Sequence, residues 1–298
     1  MEYTSMVPVY GRTVRCRMSG MADIPVIKTP APSETVDNLT DFLKVSGDWH
    51  RMHSQPDTGM LSNLWYRGVN MHFDDQAPGV YRKDFTKRAV RVLDKGDLED
   101  KRLRLERDMI SNFRTAGAAF LSKYSPTEMY FSAQHFGMPT RLLDWSTNPL
   151  AALFFACEGK ESQDGFVYAM DSGKVIPDDA KKSSGEKLWP SVMLMRNPIV
   201  QNAVEFSFWM SKDEKQKPYV LPVRPDVIPG RIGQQSSCFT FHMHRAAPVD
   251  NPTLITIKVN ASEKRLIRDE LHRVNINQFT TYYDLDHLSK EIRRGWGC

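Results

Sequence analysis

Along the 298-residue chain the hydrophobic pattern changes period several times, and each change marks a predicted element. Residues 1–32 carry Pro8, Pro25, Pro30 and Pro32 among few large apolar side chains, a composition that favours an extended, partner-ordered arm over packed structure. Beyond Ser33 the spacing of Val36, Leu39, Phe42 and Leu43, with a Ser cap and Glu34 in the first turn, predicts an amphipathic helix over 34–45. NLWYRGV, residues 63–69, reads as an aromatic-rich strand ending in a turn, with Arg67 at its end. Leu103, Met109, Ile110, Phe113, Ala116, Phe120 and Leu121 form a helical stripe over 101–123, opposite a face carrying Lys101, Arg102, Arg104 and Arg107. GFVYAM (165–170) and TLITIKV (253–259) are predicted strands. Ser262 is predicted to cap a helix reaching Arg273, and a last helix spans about 285–294. The polar stretch 171–187 reads as a surface loop. This order is not a run of βαβ units. It predicts an α+β fold, a single domain over 33–298 built on a mixed or antiparallel sheet with flanking helices.

The most informative stretch, SAQHFGMPTRLLDWSTNPLAALFFAC, joins a polar half to an apolar one. Asn148-Pro149 is a favoured N-cap followed by a residue preorganised for the first helical position, so a helix should run from there to Glu158 and stop at Gly159. Its residues Ala151 to Ala156 are apolar on every side, as in a helix buried all round. Thr140 to Trp145 is then a short strand, and Ser146-Thr147 the turn between. Two readings of that turn stand side by side: Ser146, Thr147 and Asn148 cap the helix, or they bind a phosphate-like group at its positive end. Arg141 and Asp144 likewise read either as a buried ion pair or as site groups.

Charge and cysteines narrow the field. A net charge of +4 and a pI near 8.8 lean toward an acidic partner such as RNA or DNA. Cys16, Cys157, Cys238 and Cys298 include no CxxC pair, which points to a reducing compartment and away from a zinc ribbon. His242 and His244 share one side of a predicted strand without further ligands at matching spacing, so no metal is expected. No signal-peptide core and no apolar run of ~18 residues occurs, so a cytoplasmic protein without membrane contact is expected. Neither GxGxxG nor GxxxxGK[ST] is present, and no carboxylate cluster suggests a metal-dependent nuclease.

AQHFGMPTRLLDWSTNPLAALFFA, with the upstream WYRG, resembles the FRG domain, whose Phe-Arg-Gly stands here as Tyr66-Arg67-Gly68. Glu106, Phe113, Arg231, Gln235 and Phe239 match its further marks, while Ser237 replaces a usual Gly; the resemblance covers roughly 34–245, with core motifs over 63–245 and C-terminal helices over 262–298. The FRG pattern is in turn similar to the ADP-ribosyltransferase fold. That likeness implies an NAD-consuming enzyme in which Arg67 holds the dinucleotide and Trp145-Ser146-Thr147-Asn148, followed by Ala152 and Phe155, supports the nicotinamide pocket. Gly68, Gln134 and Arg141 join the implied cofactor-binding set.

Gln235 falls where those enzymes have a Glu that meets the ribose. A neutral amide can orient a hydroxyl but cannot act as a base, so the candidate bases are Asp144 and His135. An exocyclic base amine needs less help from a base than an arginine does, which favours a nucleic-acid acceptor, RNA above all, over protein. Arg82, Lys83, Lys87, Arg88 and Arg91, with Tyr81 and Phe85 interleaved, form the implied grip on it; a solvated helix face is the other reading of that run. The resemblance further implies a toxin or phage-defence effector restrained by an inhibitory antitoxin, docking on the arm or on 171–187. The alternative is an FRG module that senses a nucleotide and turns nothing over.

Overall fold

A computed structural model describes residues 25–53, 64–71, 75–176, 192–205, 219–225, 236–243, 246 and 248–296. Most of the Pro-rich arm, Arg231, Gln235, His244 and the greater part of the 171–187 loop lie outside these residues.

Ten strands form two sheets among the described residues. β1 (Ile27–Lys28) pairs with β4 (Asp75–Gln76) in a two-stranded ribbon. The main sheet has eight strands in the order β2 (Glu34–Val36), β10 (Ile255–Val259), β6 (Gly165–Asp171), β3 (Leu64–Val69), β5 (Leu142–Ser146), β9 (Ser237–His242), β8 (Val220–Arg224) and β7 (Met193–Leu194). Its outermost pairs, β2 with β10 and β7 with β8, are parallel and the interior pairs antiparallel, so the sheet is mixed.

Pairing is continuous within each group of four strands, but β3 and β5 share a single partnered position, Tyr66 with Ser146. The sheet therefore splits at its middle into two half-sheets. One face of the first half packs on α1 (Leu39–His53), α6 (Pro149–Cys157) and α8 (Lys264–Arg273), around Phe42, Tyr66, Leu153, Val167, Ile257 and Ile267. The same face of the second half packs on α3 (Leu98–Ala116), α5 (Pro126–His135) and α7 (Pro198–Glu205), around Ile110, Phe131, Leu142, Val200, Leu221 and Phe239. The other face is one core shared by both halves, with Trp65, Tyr168, Met170, Leu143, Trp145 and Cys238 beneath Ile27 and Leu254. Both Cys157 and Cys238 are free, buried thiols, and burial holds each above its ordinary range, Cys157 at about 12.

α6 is the central helix the sequence predicts. Asn148 Oδ1 accepts Leu150 N at 2.9 Å as its N-cap, Pro149 follows, and Gly159 takes a left-handed φ of +62° just beyond. It lies directly on β3 and β6 because glycines face it: a Cβ on Gly68 would come 1.7 Å from the Ala152 carbonyl oxygen, and one on Gly165 2.2 Å from that of Ala156. Ala152 and Ala156, one turn apart, are the small residues opposite.

Several predicted boundaries move. Residues 34–36 are a strand, held by parallel pairing to β10, and the helix starts at Leu39, where Asn38 Oδ1 accepts Asp41 N. Arg67 is the fourth residue of β3, not its last. The long helix predicted over 101–123 begins earlier, at Leu98 behind the Asp97 cap, and breaks at Gly117 before the short α4 (Ala118–Leu121). Its predicted outer face includes Arg102, which is buried against Glu99 and Thr86, whereas Phe120 of the predicted stripe is exposed. Ser262 sits in a 3₁₀ turn and caps nothing; α8 begins at Lys264. α2 (Lys83–Val92) carries the basic run, α9 (Gln278–Tyr282) precedes the last helix, and α10 (Leu285–Gly295) closes the described chain. Among the described residues no helix is long and apolar enough to cross a membrane.

Gly68→Ala should destabilise the protein by at least about 3 kcal/mol, because backbone meets backbone and neither side can yield. Gly137→Ala, where φ is +85° but a Cβ meets nothing within 4 Å, should cost only about 1 kcal/mol. Urea unfolding of the two variants measures the difference.

Candidate functional site

The split between β3 and β5 is where the candidate residues converge. Beyond Tyr66 and Ser146 the strands part, and the Arg67 side chain crosses the gap: Nη1 donates to the Asp144 carbonyl at 2.8 Å and Nε to Gln76 Oε1 at 2.9 Å. Gln76 is buried in the β1–β4 ribbon, so the arm ties Arg67 down from the shared face. Nη2 has no protein hydrogen bond among the described residues and is the nitrogen left for a ligand. Burial lowers the guanidinium to about 10, with Asp144 opposing the shift and Arg82 adding to it, so Arg67 keeps its charge at neutral pH.

Asp144 projects from β5 to solvent. Its Oδ2 accepts Gln134 Nε2 at 2.8 Å, while Gln134 Oε1 accepts the Thr140 hydroxyl at 2.6 Å and Thr140 Oγ1 accepts Leu142 N at 3.0 Å. A chain of side-chain hydrogen bonds thus orients the carboxylate and leaves Oδ1 without a protein hydrogen bond among the described residues.

Arg141 and Asp144 are not an ion pair. Arg141 is buried against Glu106 of α3: Nε donates to Oε2 at 2.9 Å, and the Arg141 backbone N–H donates to Oε1 at 3.0 Å. Tyr130 OH also donates to Oε1, and the guanidinium lies 4.8 Å from the Phe241 ring centroid. Burial works against this charge, but Glu106 and Tyr130 outweigh it and raise the Arg141 pKa. The pair anchors the α5–β5 corner on α3, so Glu106 shapes the site without reaching it.

The turn after β5 uses its polar groups locally. Ser146 Oγ accepts Asn148 N at 2.9 Å, Asn148 caps α6, and Thr147 N donates to Ser236 O at 3.0 Å. Of the two readings of this turn, the geometry displays capping. Gly68 is spent on the approach of α6, and His135 lies beside the exposed ring of Phe136 at 5.2 Å between centroids. Gln235 lies outside the described residues; its chain neighbour Ser236 bonds Thr147.

Arg82 is the N-cap residue of α2, exposed, its Nε donating to Ala77 O at 3.3 Å. It is placed beside the split because Val80 N donates to Thr140 O at 3.3 Å and Gly79 packs on Pro139. Lys83, Lys87, Arg88 and Arg91 are exposed along α2. Arg82 thereby belongs with Arg67 as well as with the basic run.

Sequence reasoning did not single out Gln76, Thr140 or His242 as supports. His242 is fully buried on the shared face: Nδ1 meets the Pro25 carbonyl, and Nε2 lies 3.0 Å from Thr240 Oγ1, which also accepts Trp145 Nε1 at 3.1 Å. That chain fits a neutral ring protonated at Nδ1, and burial lowers its pKa to about 3. Among the described residues no group of three or more His, Cys, Asp and Glu is placed to hold a metal ion.

Residues 62–165 match the FRG domain. The FRG match takes in β3 with Arg67, α2, α3 with Glu106, α5, β5 and α6, and so contains both edges of the split. Comparison with curated proteins and with solved structures returned no match.

Glu106→Gln should cost about 3–5 kcal/mol in urea unfolding, since it leaves the buried Arg141 guanidinium uncompensated. His242 sets an acid limit. Its folded pKa of about 3 lies below the ordinary 6.5, so stability is complete above pH ~6.5 and is lost as pH falls from there toward 3. Between pH 7 and 5 the loss should be about 2 kcal/mol, and His242→Gln should flatten that slope in the same titration.

Proposed function

We propose that the protein is an NAD-consuming ADP-ribosyltransferase whose site is the split between the two half-sheets. The observation that carries this reading is Arg67, a fork charged at neutral pH and held across the split by Gln76 and the Asp144 carbonyl, with Nη2 free of protein hydrogen bonds among the described residues and with Arg82 and the oriented Asp144 carboxylate near enough to act on its charge. Two neighbouring cations suit a diphosphate, and a carboxylate suits a ribose hydroxyl or an acceptor proton. The FRG match takes in this stretch, and the resemblance of its motifs to those of ADP-ribosyltransferases is in keeping with the same reading.

In the proposed reaction the bond between ribose C1′ and the nicotinamide nitrogen breaks, and the electron pair leaves with neutral nicotinamide. The oxocarbenium-like sugar is attacked by the acceptor, and the acceptor's proton passes to Asp144. Arg67 and Arg82 hold the diphosphate so that the leaving group and the acceptor lie on opposite sides of C1′. Gln134, through its bond to Asp144 Oδ2, keeps Oδ1 facing the reaction. Turnover of this kind in a cell would inhibit growth unless an inhibitory protein covered the split, which is the proposed role of an antitoxin.

A second reading, a nucleotide-sensing module without turnover, is favoured by the engagement of Ser146 and Asn148 in helix capping, which leaves fewer donors for a nicotinamide pocket.

Incubation of the purified protein with NAD labelled in the adenylate moiety and a cell lysate tests the choice. The transferase reading expects label in macromolecules and stoichiometric free nicotinamide, with Arg67→Lys and Asp144→Asn each lowering the rate at least about a hundredfold. Saturable NAD binding with neither product would establish the sensor instead.

A further inference from the structure

We infer that the acceptor is single-stranded nucleic acid, running along α2 with its target base at the split; the assignment of a target base rests on the transferase reading, whereas the strand track does not. Lys83, Lys87 and Arg91 are spaced four residues apart on the exposed side of α2, opposite the buried Phe85, Thr86 and Ala89. A helix rises 1.5 Å per residue, so the three charges follow one another at about 6 Å, close to the spacing of successive phosphates in an extended strand. Lys83 and Arg91 form no ion pair among the described residues, and Lys87 has only an exposed contact of 3.9 Å with Asp84, which solvent screens. Arg88 lies on the next row beside Asp84.

The ridge leads to the site. Its first member follows Arg82, which is close enough to Arg67 to disfavour its charge, and the Val80–Thr140 hydrogen bond fixes this end of α2 against the corner that orients Asp144. On the same corner, two residues after Gln134, Phe136 is 70% exposed, an aromatic ring available to stack a base. Cations in a row thus lead to the corner that carries an exposed ring and orients a carboxylate. A base paired within a duplex could not enter the split, so the strand must be single.

Fluorescence anisotropy with a labelled mixed-sequence 12-mer, as RNA, as DNA of the same sequence and as duplex DNA, tests this at several salt concentrations. Both single strands, or one of them, should bind at least tenfold more tightly than the duplex. Tighter binding of RNA would identify RNA as the acceptor, and tighter binding of DNA would identify DNA. The variant K83Q/K87Q/R91Q should lower the slope of log K against log salt by about 2, at ~0.7 per phosphate contact, while K290Q/R293Q on α10 leaves it unchanged. F136A should weaken single strands about tenfold and the duplex little. Duplex binding as tight as single-strand binding, an unchanged slope in the α2 variant, or no single-strand binding at 50 mM salt would each overturn the inference. NAD binding by calorimetry should be unaffected in K83Q/K87Q/R91Q. Strand binding by a protein that takes no NAD would leave the track standing and remove the transferase reading.

Discussion

Everything at the candidate site follows from one missing stretch of backbone pairing. β3 and β5 meet only at Tyr66 and Ser146, and past that point two half-sheets diverge with peptide groups on both edges no longer satisfied by a ladder. Such groups are costly to bury unpaired. Arg67 supplies one of the replacements, donating across the gap to the Asp144 carbonyl, so a residue suited to ligand binding is also part of what holds the halves in place. The shared core of Trp65, Leu143, Trp145 and Tyr168 keeps the split from opening on one side, while the other side, flanked by α5 and α6, is where Asp144 reaches solvent. The protein thus has a rigid floor and an open mouth at the same place.

Each edge of that mouth is positioned by a different buried device. On the β3 side, Gly68 and Gly165 let α6 lie against the strands, so the turn before α6 is set by packing of helix on sheet. Lys264, fully buried, donates to the carbonyls of Asn70 and Lys160 and ties the far end of β3 to the turn after α6. On the β5 side the corner is held by charge. Glu106 and Arg141 form a desolvated pair that satisfies a backbone N–H as well, and such a pair is worth more for where it puts the chain than for net stability.

What could be read from the sequence was what depends on near neighbours. β3, β6, β10 and α6 are visible because alternation, apolar runs and the Asn148-Pro149 start are local signals, and the FRG resemblance rests on the same stretches. α5 had a local signal too, Ser125-Pro126 followed by Glu128, a complete capping box that the polar look of the segment concealed. Other features had no local trace. Residues 34–36 pair with a strand more than two hundred positions away, which no window of sequence displays, and their spacing from Leu39 and Phe42 imitated a helix. Arg141 has Asp144 three residues on as an obvious partner, yet its carboxylate comes from Glu106, thirty-five residues back, because Arg141 is buried in the corner before β5 while Asp144 faces solvent from the strand. Arg67 could be named from its motif, but Gln76 and Arg82, which decide how its guanidinium is spent, are brought to it by the ribbon and by the turn before α2.

The two buried thiols give the split a way to be observed. Cys157 ends the helix behind the first half-sheet and Cys238 belongs to a strand of the second, and burial keeps both in the unreactive thiol form. With Cys16 and Cys298 replaced, the rate at which a thiol reagent reaches each one becomes a clock for local opening. Equal rates would mean that the molecule opens as one cooperative body; unequal rates would show that its two halves come apart separately along the line that Arg67 spans.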